Sequence, residues 1–163
     1  MVELRKVTYA NLKECIGLSI REDQRGFVAT NVKSLAQAWV AHENAICVPM
    51  PFAIYADDTM VGFVMLSYEK AGENSPEDMY TVWRFMIDQH HQGKGYGKAA
   101  MAKVMEYIRT FPCGDAAAVY LSYEPENHVA RKLYASFGFV ETGEISDGEQ
   151  VARLELKERD QQI

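Results

Sequence analysis

An α/β domain built on a mixed, mostly antiparallel central sheet with helices on both faces is the architecture this sequence predicts. Three observations carry that prediction. Two apolar runs, Phe52 to Ala56 and Met60 to Tyr68, flank the turn-forming pair Asp57-Asp58 and read as a hairpin. A third strand-like run, Tyr80 to Ile87, leads through a glycine-rich turn into a stretch where Ala100, Met101, Val104, Met105 and Ile108 share one helical face. A second hairpin signal, Asp147-Gly148, separates Val140 to Ile145 from Val151 to Leu156.

The remaining elements follow in order. Glu3 to Val7 reads as a short strand, and Thr8 caps a helix from Tyr9 to Ile20, with Leu12, Ile16 and Ile20 at helical spacing. After a polar break from Arg21 to Gly26, Ser34 precedes a second helix with Leu35, Ala38 and Trp39 on one face, ending near Glu43. Residues 69–78 contain Gly72, Asn74 and Pro76 and form a loop. The helix after the glycine turn stops before Pro112, because proline disfavours a helical predecessor. Ala117 to Tyr123 is a strand, and Val129 to Phe137 is a short helix ended by Gly138. The predicted order is βααβββαβαββ. The charged tail from Lys157 to Ile163 is expected to fray.

A chain of 163 residues suits a single domain spanning 1–163, with enough material for a core that needs no disulfide or structural metal. Apolar residues at 48% and charged residues at 25% match a water-soluble globular protein. No stretch has a signal peptide's apolar run or a membrane span, so the expected compartment is the cytoplasm and no membrane partner is expected. The three cysteines, Cys15, Cys47 and Cys113, lack disulfide or zinc spacing and read as inert thiols. The four histidines pair with no ligand partner, so no metal is expected. A net charge of −6 argues against nucleic acid as a partner and suits a cationic small molecule, although solubility alone also accounts for it.

Gly93, Gly95 and Gly97 alternate across a strand-to-helix junction, where missing Cβ atoms let backbone N–H groups converge on one anion. The helix start adds its dipole and unsatisfied N–H groups, enough to hold a pyrophosphate, and Lys94 and Lys98 add charge. A Walker A loop is excluded because Gly97-Lys98 is followed by Ala99 rather than Ser or Thr. The dinucleotide fingerprint fits poorly, since the spacing is Gly-x-Gly-x-Gly and hairpin strands precede it.

The run Phe85-Met86-Ile87-Asp88-Gln89-His90-His91-Gln92-Gly93-Lys94-Gly95-Tyr96-Gly97 resembles the cofactor motif of the GNAT superfamily of N-acetyltransferases, Gln/Arg-x-x-Gly-x-Gly/Ala. Asn127, Ala130, Leu133, Tyr134 and Phe137-Gly138-Phe139 resemble the second half of that family's pattern, so the likeness covers nearly the whole chain. It implies acetyl-CoA as cosubstrate, bound by Phe85, Met86 and Ile87 through backbone pairing and by the segment Gln92, Gly93, Lys94, Gly95, Tyr96, Gly97 and Lys98. Asn127 matches a family position that touches the cofactor near its pantetheine, and as a residue type it equally suits the cap of the helix beginning at His128. A homodimer is common in the family.

Acetyl transfer to an amine poses two proton problems. With an amine pKa near ~10.4, the neutral nucleophile costs about 4.6 kcal/mol at pH 7, whereas a thiol of pKa ~8.5 departs more easily. Tyr134 resembles the tyrosine that many family members use to protonate the thiolate, with Arg131 or Lys132 nearby to favour phenolate or coenzyme phosphate. For the base, Glu22, Asp23, Glu43, Glu69 and Glu124 qualify by type, as does a water chain. Some polyamine acetyltransferases carry a carboxylate on the cofactor strand where this chain has Trp83.

Gln24-x-x-Phe27-Val28-Ala29-x-Asn31-x-x-Ser34-Leu35-Ala36-x-Ala38 resembles the N-terminal signature of bacterial spermine/spermidine (diamine) acetyltransferases. That likeness implies a small polyamine acceptor, with Glu22 and Asp23 as ammonium contacts. Alternatives within the chemistry are a protein N-terminus or lysine, an aminoglycoside or an amino acid. A coenzyme A-binding sensor without turnover is the alternative outside it.

Overall fold

The computed structural model describes residues 1–157, so the tail expected to fray lies, beyond Lys157, outside the described residues. Seven strands form one sheet in the order β1-β2-β3-β4-β5-β7-β6. In chain order the elements are β1 (Val2–Lys6), α1 (Tyr9–Gly17), α2 (Asn31–Glu43), β2 (Val48–Ala56), β3 (Thr59–Glu69), β4 (Met79–Ile87), α3 (Tyr96–Ile108), β5 (Ala118–Tyr123), α4 (His128–Ser136), β6 (Val140–Ser146) and β7 (Glu149–Glu155). This is the predicted α/β order, and every neighbouring pair of strands is antiparallel except β4 and β5.

β3 is the central apolar run, buried continuously from Met60 to Tyr68 because helices cover both faces of the sheet. On one face α3 buries Ala100, Met101, Val104, Met105 and Ile108 against Ile54, Val64 and Tyr80. On the other, Cys15 of α1 and Ala38 of α2 pack against Phe63, Met65 and Met86.

Several boundaries differ from the sequence expectation, each for a local reason. α1 stops at Gly17 instead of Ile20 because the chain beyond it is held extended, with the Ser19 N–H donated to the Asp88 carboxylate at 2.9 Å. Its buried residue is Cys15, and Ile16 is exposed. α2 begins at Asn31, three residues before Ser34, because the Thr30 hydroxyl oxygen accepts the Lys33 N–H at 3.2 Å and caps the helix there. Trp39, expected on the packed face of α2, is 66% exposed, since the buried stripe runs through Asn31, Ser34, Ala38 and Ala41. β2 starts at Val48 and contains Pro49 and Pro51, which fall before Phe52, where pairing with β1 begins, so neither proline breaks that ladder.

Two features of the sheet shape the site. β4 pairs with β5 only from Met79 to Val82, after which the two strands splay while β5 keeps its pairing with β7 through Ser122 and Tyr123. Trp83 is also a bulge: Met65 pairs with Arg84 and Leu66 with Val82, leaving Trp83 unopposed. The inserted residue shifts the alternation by one. Tyr80 and Val82 face α3 before the bulge and Phe85 and Ile87 pack on that side after it, while Met86 turns to the α1–α2 core and the Arg84 guanidinium bonds the Gln37 side chain of α2 at 2.8 Å.

Candidate active site

The splay opens a cleft of about 910 Å³ whose floor is the freed edge of β4, from Trp83 to Ile87. On the β5 side of these residues the backbone meets no strand partner, and side chains hold only the carbonyls at its two ends, Trp83 and Ile87, so the edge between them is open to an extended ligand.

At the end of β4 the chain is pinned before it turns. The Asp88 N–H donates to the Val61 carbonyl at 2.8 Å, and the buried Asp88 carboxylate accepts the Ser19 and His90 N–H groups at 2.9 and 3.1 Å and faces the His90 ring nitrogen Nδ1 at 2.9 Å. Burial pulls its pKa up, but these bonds outweigh burial and hold it below the usual carboxylate value. Gln92 donates its side-chain amide to the Ile87 carbonyl at 3.0 Å and to Gln24 Oε1 at 2.8 Å, tying the turn to the opposite wall.

The three alternating glycines are not equivalent. Gly93 (φ 74°) and Gly95 (φ 82°) lie in the left-handed region, with open space where a Cβ would be. Gly97 is already inside α3, and a Cβ there would make ordinary contacts at 3.9 Å to Ile87 and 4.0 Å to Leu133. Gly95 is the N-cap of α3 and offers no side chain to its first-turn N–H groups, and Gly93, Gly95, Tyr96 and Gly97 all line the cleft. Lys94 and Lys98 are exposed and outside the cleft wall, with Lys94 Nζ donating to the His90 carbonyl at 3.2 Å.

α4 supplies the far wall. Asn127 caps it, its Oδ1 accepting the Ala130 N–H at 3.2 Å, and also lines the cleft. Tyr134 lines the cleft with its ring 5.7 Å from Tyr123 and 6.1 Å from Phe139. Burial, then Glu149 and Tyr123, push its pKa well above the ordinary phenol value, so at neutral pH it carries its proton. Arg131, which with Lys132 was expected to favour phenolate or coenzyme phosphate, lies 2.9 Å from Glu141 and 5.9 Å over the Tyr123 ring.

The polar segment after α1 forms the opposite wall through Arg21, Gln24 and Gly26. Glu22 and Asp23 belong to the same short 3₁₀ turn but fall outside that wall: Glu22 pairs with Arg25 at 2.8 Å and Asp23 with Arg21 at 3.1 Å, and both carboxylates are exposed. Glu43 and Glu124 also lie away from the cleft wall.

Glu149 and Arg84 are among the charged residues of the cleft that were not singled out from sequence as site residues. Glu149, at the start of β7, accepts the Ser122 hydroxyl at 2.8 Å and acts electrostatically on both Tyr134 and Arg84. It reaches the splay because β7 lies between β5 and β6, and the signal available in sequence was only its position two residues after Asp147. Arg84 is lowered from its ordinary value by burial, opposed by Glu149. Its second terminal nitrogen donates to the Trp83 carbonyl at 2.9 Å. Among the described residues no group of three or more His, Cys, Asp or Glu could hold a metal ion, and no helix is long and apolar enough to cross a membrane. Cys15 is buried, its thiol pushed up to about 11 by burial and then by Glu14, in keeping with an inert group.

Similarities to known proteins agree with this geometry. The chain is 28% identical over 158 residues to the probable spermine N(1)-acetyltransferase of Bacillus subtilis subsp. natto, covering 95% of this chain and 99% of that protein. It is 27% identical over the same length to the spermine/spermidine N(1)-acetyltransferase of Bacillus subtilis strain 168, again covering 95% and 99%. In fold it resembles the spermidine N-acetyltransferase of Vibrio cholerae, solved with CoA and spermine, at a TM-score of 0.67 and 21% identity over 95% of this chain and 94% of that one. It also resembles the PaiA N-acetyltransferase of Thermoplasma acidophilum, solved with coenzyme A, at a TM-score of 0.68 and 14% identity over 96% and 99%. The family model for the acetyltransferase (GNAT) family matches residues 15–139, most of the chain. The chain therefore belongs to the acetyltransferase (GNAT) family and is an N-acetyltransferase that uses acetyl-CoA as its cosubstrate.

Proposed function

We propose that the enzyme acetylates a primary amine of a polyamine such as spermidine or spermine, by direct attack in a ternary complex. The observation that carries this reading is the likeness, over 95% of the chain, to relatives named as spermine and spermidine acetyltransferases. The cleft supports it by holding in its walls a tyrosine that keeps its proton and a carboxylate, the two kinds of group that the proton transfers call for.

The residues fit acetyl-CoA. Phe85, Met86 and Ile87 would take its pantetheine arm along their free strand edge, and the backbone of Gly93, Gly95, Tyr96 and Gly97 would take its pyrophosphate at the start of α3. The open space at the two left-handed glycines suits close approach of a ligand to backbone. The Gln92 side chain sets the shape of the turn by holding the Ile87 carbonyl, while Lys94 and Lys98 add diffuse positive charge outside the cleft. Acetyl-CoA supplies an activated acyl group and a thiolate leaving group.

The chain's own groups handle the protons. Tyr134 is held in its neutral form and so has a proton to give to a departing thiolate. Glu149 keeps one carboxylate oxygen bonded to Ser122 and offers the other as acceptor for the amine proton, directly or through water. The half-buried Arg84 guanidinium on the same wall disfavours a second positive charge beside it, which favours the neutral, nucleophilic form of a bound amine.

The test is thiol release from acetyl-CoA with spermidine, spermine, an aminoglycoside, a free amino acid and a peptide amine, with Tyr134→Phe alongside. Rapid release with the polyamines, reduced about a hundredfold in Tyr134→Phe, is expected. Release with the peptide or aminoglycoside alone overturns the polyamine assignment, and an unchanged Tyr134→Phe rate overturns the acid.

A further inference from the structure

The cleft is bordered by further space. A second cavity of about 350 Å³ lies beside it, bounded by Ile46 and Cys47 after α2, by Glu69 at the end of β3, and by Tyr120 and Glu144. Thr81, Trp83, Ser122 and Ser146 stand in the walls of both spaces, so the two adjoin. The Thr81 hydroxyl, at that junction, is buried with no hydrogen-bond partner among the described residues.

The two spaces differ in charge. Arg21, Lys33 and Arg84 accompany Asp147 and Glu149 in the first, whereas the second is lined by Glu69 and Glu144 and by no Lys, Arg or His among the described residues. Glu69 is held in place, accepting the Ser75 hydroxyl at 2.6 Å and the Ser67 hydroxyl at 3.4 Å, which leaves acceptor capacity on the carboxylate. Its charge is felt at Cys47, whose thiol is pushed up first by burial and then by Glu69. Arg153 lies over the Tyr120 ring but is paired with Glu77 at 2.7 Å, so it does not offset these carboxylates. Trp83, Tyr120 and Met79 give the cavity apolar walls that suit methylene groups. Its volume is at the small end for a ligand site, matching part of an acceptor rather than all of it.

We propose that this second cavity receives the cationic tail of the acceptor, so that the enzyme selects an amine joined through a short methylene chain to a second ammonium group, held by Glu69 and Glu144. The proposal rests on the amine-acetylation reading above and deepens it by naming what lies beyond the attacking nitrogen.

The experiment compares kcat/KM for putrescine with that for butylamine, which have the same chain length and differ in the second nitrogen. Wild type, Glu69→Gln and Glu144→Gln are measured at saturating acetyl-CoA. The putrescine-to-butylamine ratio is expected to fall about tenfold in Glu69→Gln and about threefold in the more exposed Glu144→Gln, through KM rather than kcat. In wild type, putrescine is expected to slow alkylation of Cys47, read by peptide mass, and butylamine is not. That measurement stands even if Glu69→Gln fails to fold. An unchanged ratio in Glu144→Gln together with equal protection of Cys47 by both amines overturns the second cavity while leaving amine acetylation intact. Turnover of a peptide amine and of neither putrescine nor spermidine overturns both.

Discussion

The turn from Gln92 to Gly97 and the segment from Arg21 to Gly26 face each other across one cleft, joined by the Gln92–Gln24 side-chain bond at 2.8 Å. They are built from different material. The first works through backbone: two left-handed glycines, an uncapped helix start and a freed strand edge. The second offers side chains, and its exposed carboxylates are engaged with the arginines of their own segment. A backbone site tolerates any side chain that keeps the dihedrals and depends on glycine where φ is positive. A side-chain site depends on which elements the fold brings together.

The largest effect that separates the two kinds of wall belongs to Glu149. Glu149→Gln keeps the shape and the Ser122 contact and removes the proton acceptor, so kcat is expected to drop about a hundredfold at neutral pH while KM for acetyl-CoA stays put. Steady-state kinetics in both substrates checks this, and an equal rise in the acetyl-CoA KM would show that Glu149 serves binding instead. On the backbone side, Gly95→Ala is expected to raise the acetyl-CoA KM about tenfold, because its Cβ enters the open space of the cleft at φ 82°. Gly97→Ala, two residues on, is expected to leave that KM within about twofold, since its Cβ meets only ordinary contacts. Equal losses at the two positions would mean that the turn is read by shape as a whole, not by its left-handed residues.

This contrast also explains what the sequence made legible. The strands, the buried face of α3 and the glycine turn are local patterns, and the structure contains each of them. Glu149 and Arg84 were not visible as site residues for topological reasons. Glu149 reaches the cleft only because β7 inserts between β5 and β6, and Arg84 turns toward α2 only because the bulge at Trp83 shifts the strand's alternation. Neither a strand order nor a bulge is written in periodicity. The early end of α1 has the same origin, since Ser19 is captured by an aspartate 69 residues away.

Asp88 connects the two walls, and its effect should be smaller and pH-dependent. Its pKa is lowered in the folded state, so its contribution is present above the unfolded carboxylate value of ~3.9 and is lost as pH falls through the folded value. Denaturant unfolding from pH 7 to pH 3 is expected to show wild type about 1–2 kcal/mol more stable than Asp88→Asn at neutral pH, with the gap closing at the acid end. A gap as large at pH 3 as at pH 7 would assign the difference to packing, not to the charge.

The smallest effect belongs to Trp39, which sequence periodicity placed on the packed face of α2 and the structure leaves 66% exposed. The helix is seated by its small residues: Asn31 donates to the Cys15 carbonyl at 2.8 Å, Ser34 to the Thr30 carbonyl at 3.0 Å, and Ala38 lies in the core. Trp39→Gln therefore removes little buried apolar surface and replaces it with a good helix former, so stability should change by less than about 0.5 kcal/mol. Ala38→Gln on the next position must place a polar chain against Phe63 and Met65 and should cost about 3 kcal/mol. Equilibrium unfolding of the two variants distinguishes the faces. A large loss in Trp39→Gln would mean that this side of α2 is covered in solution by something other than the chain's own core.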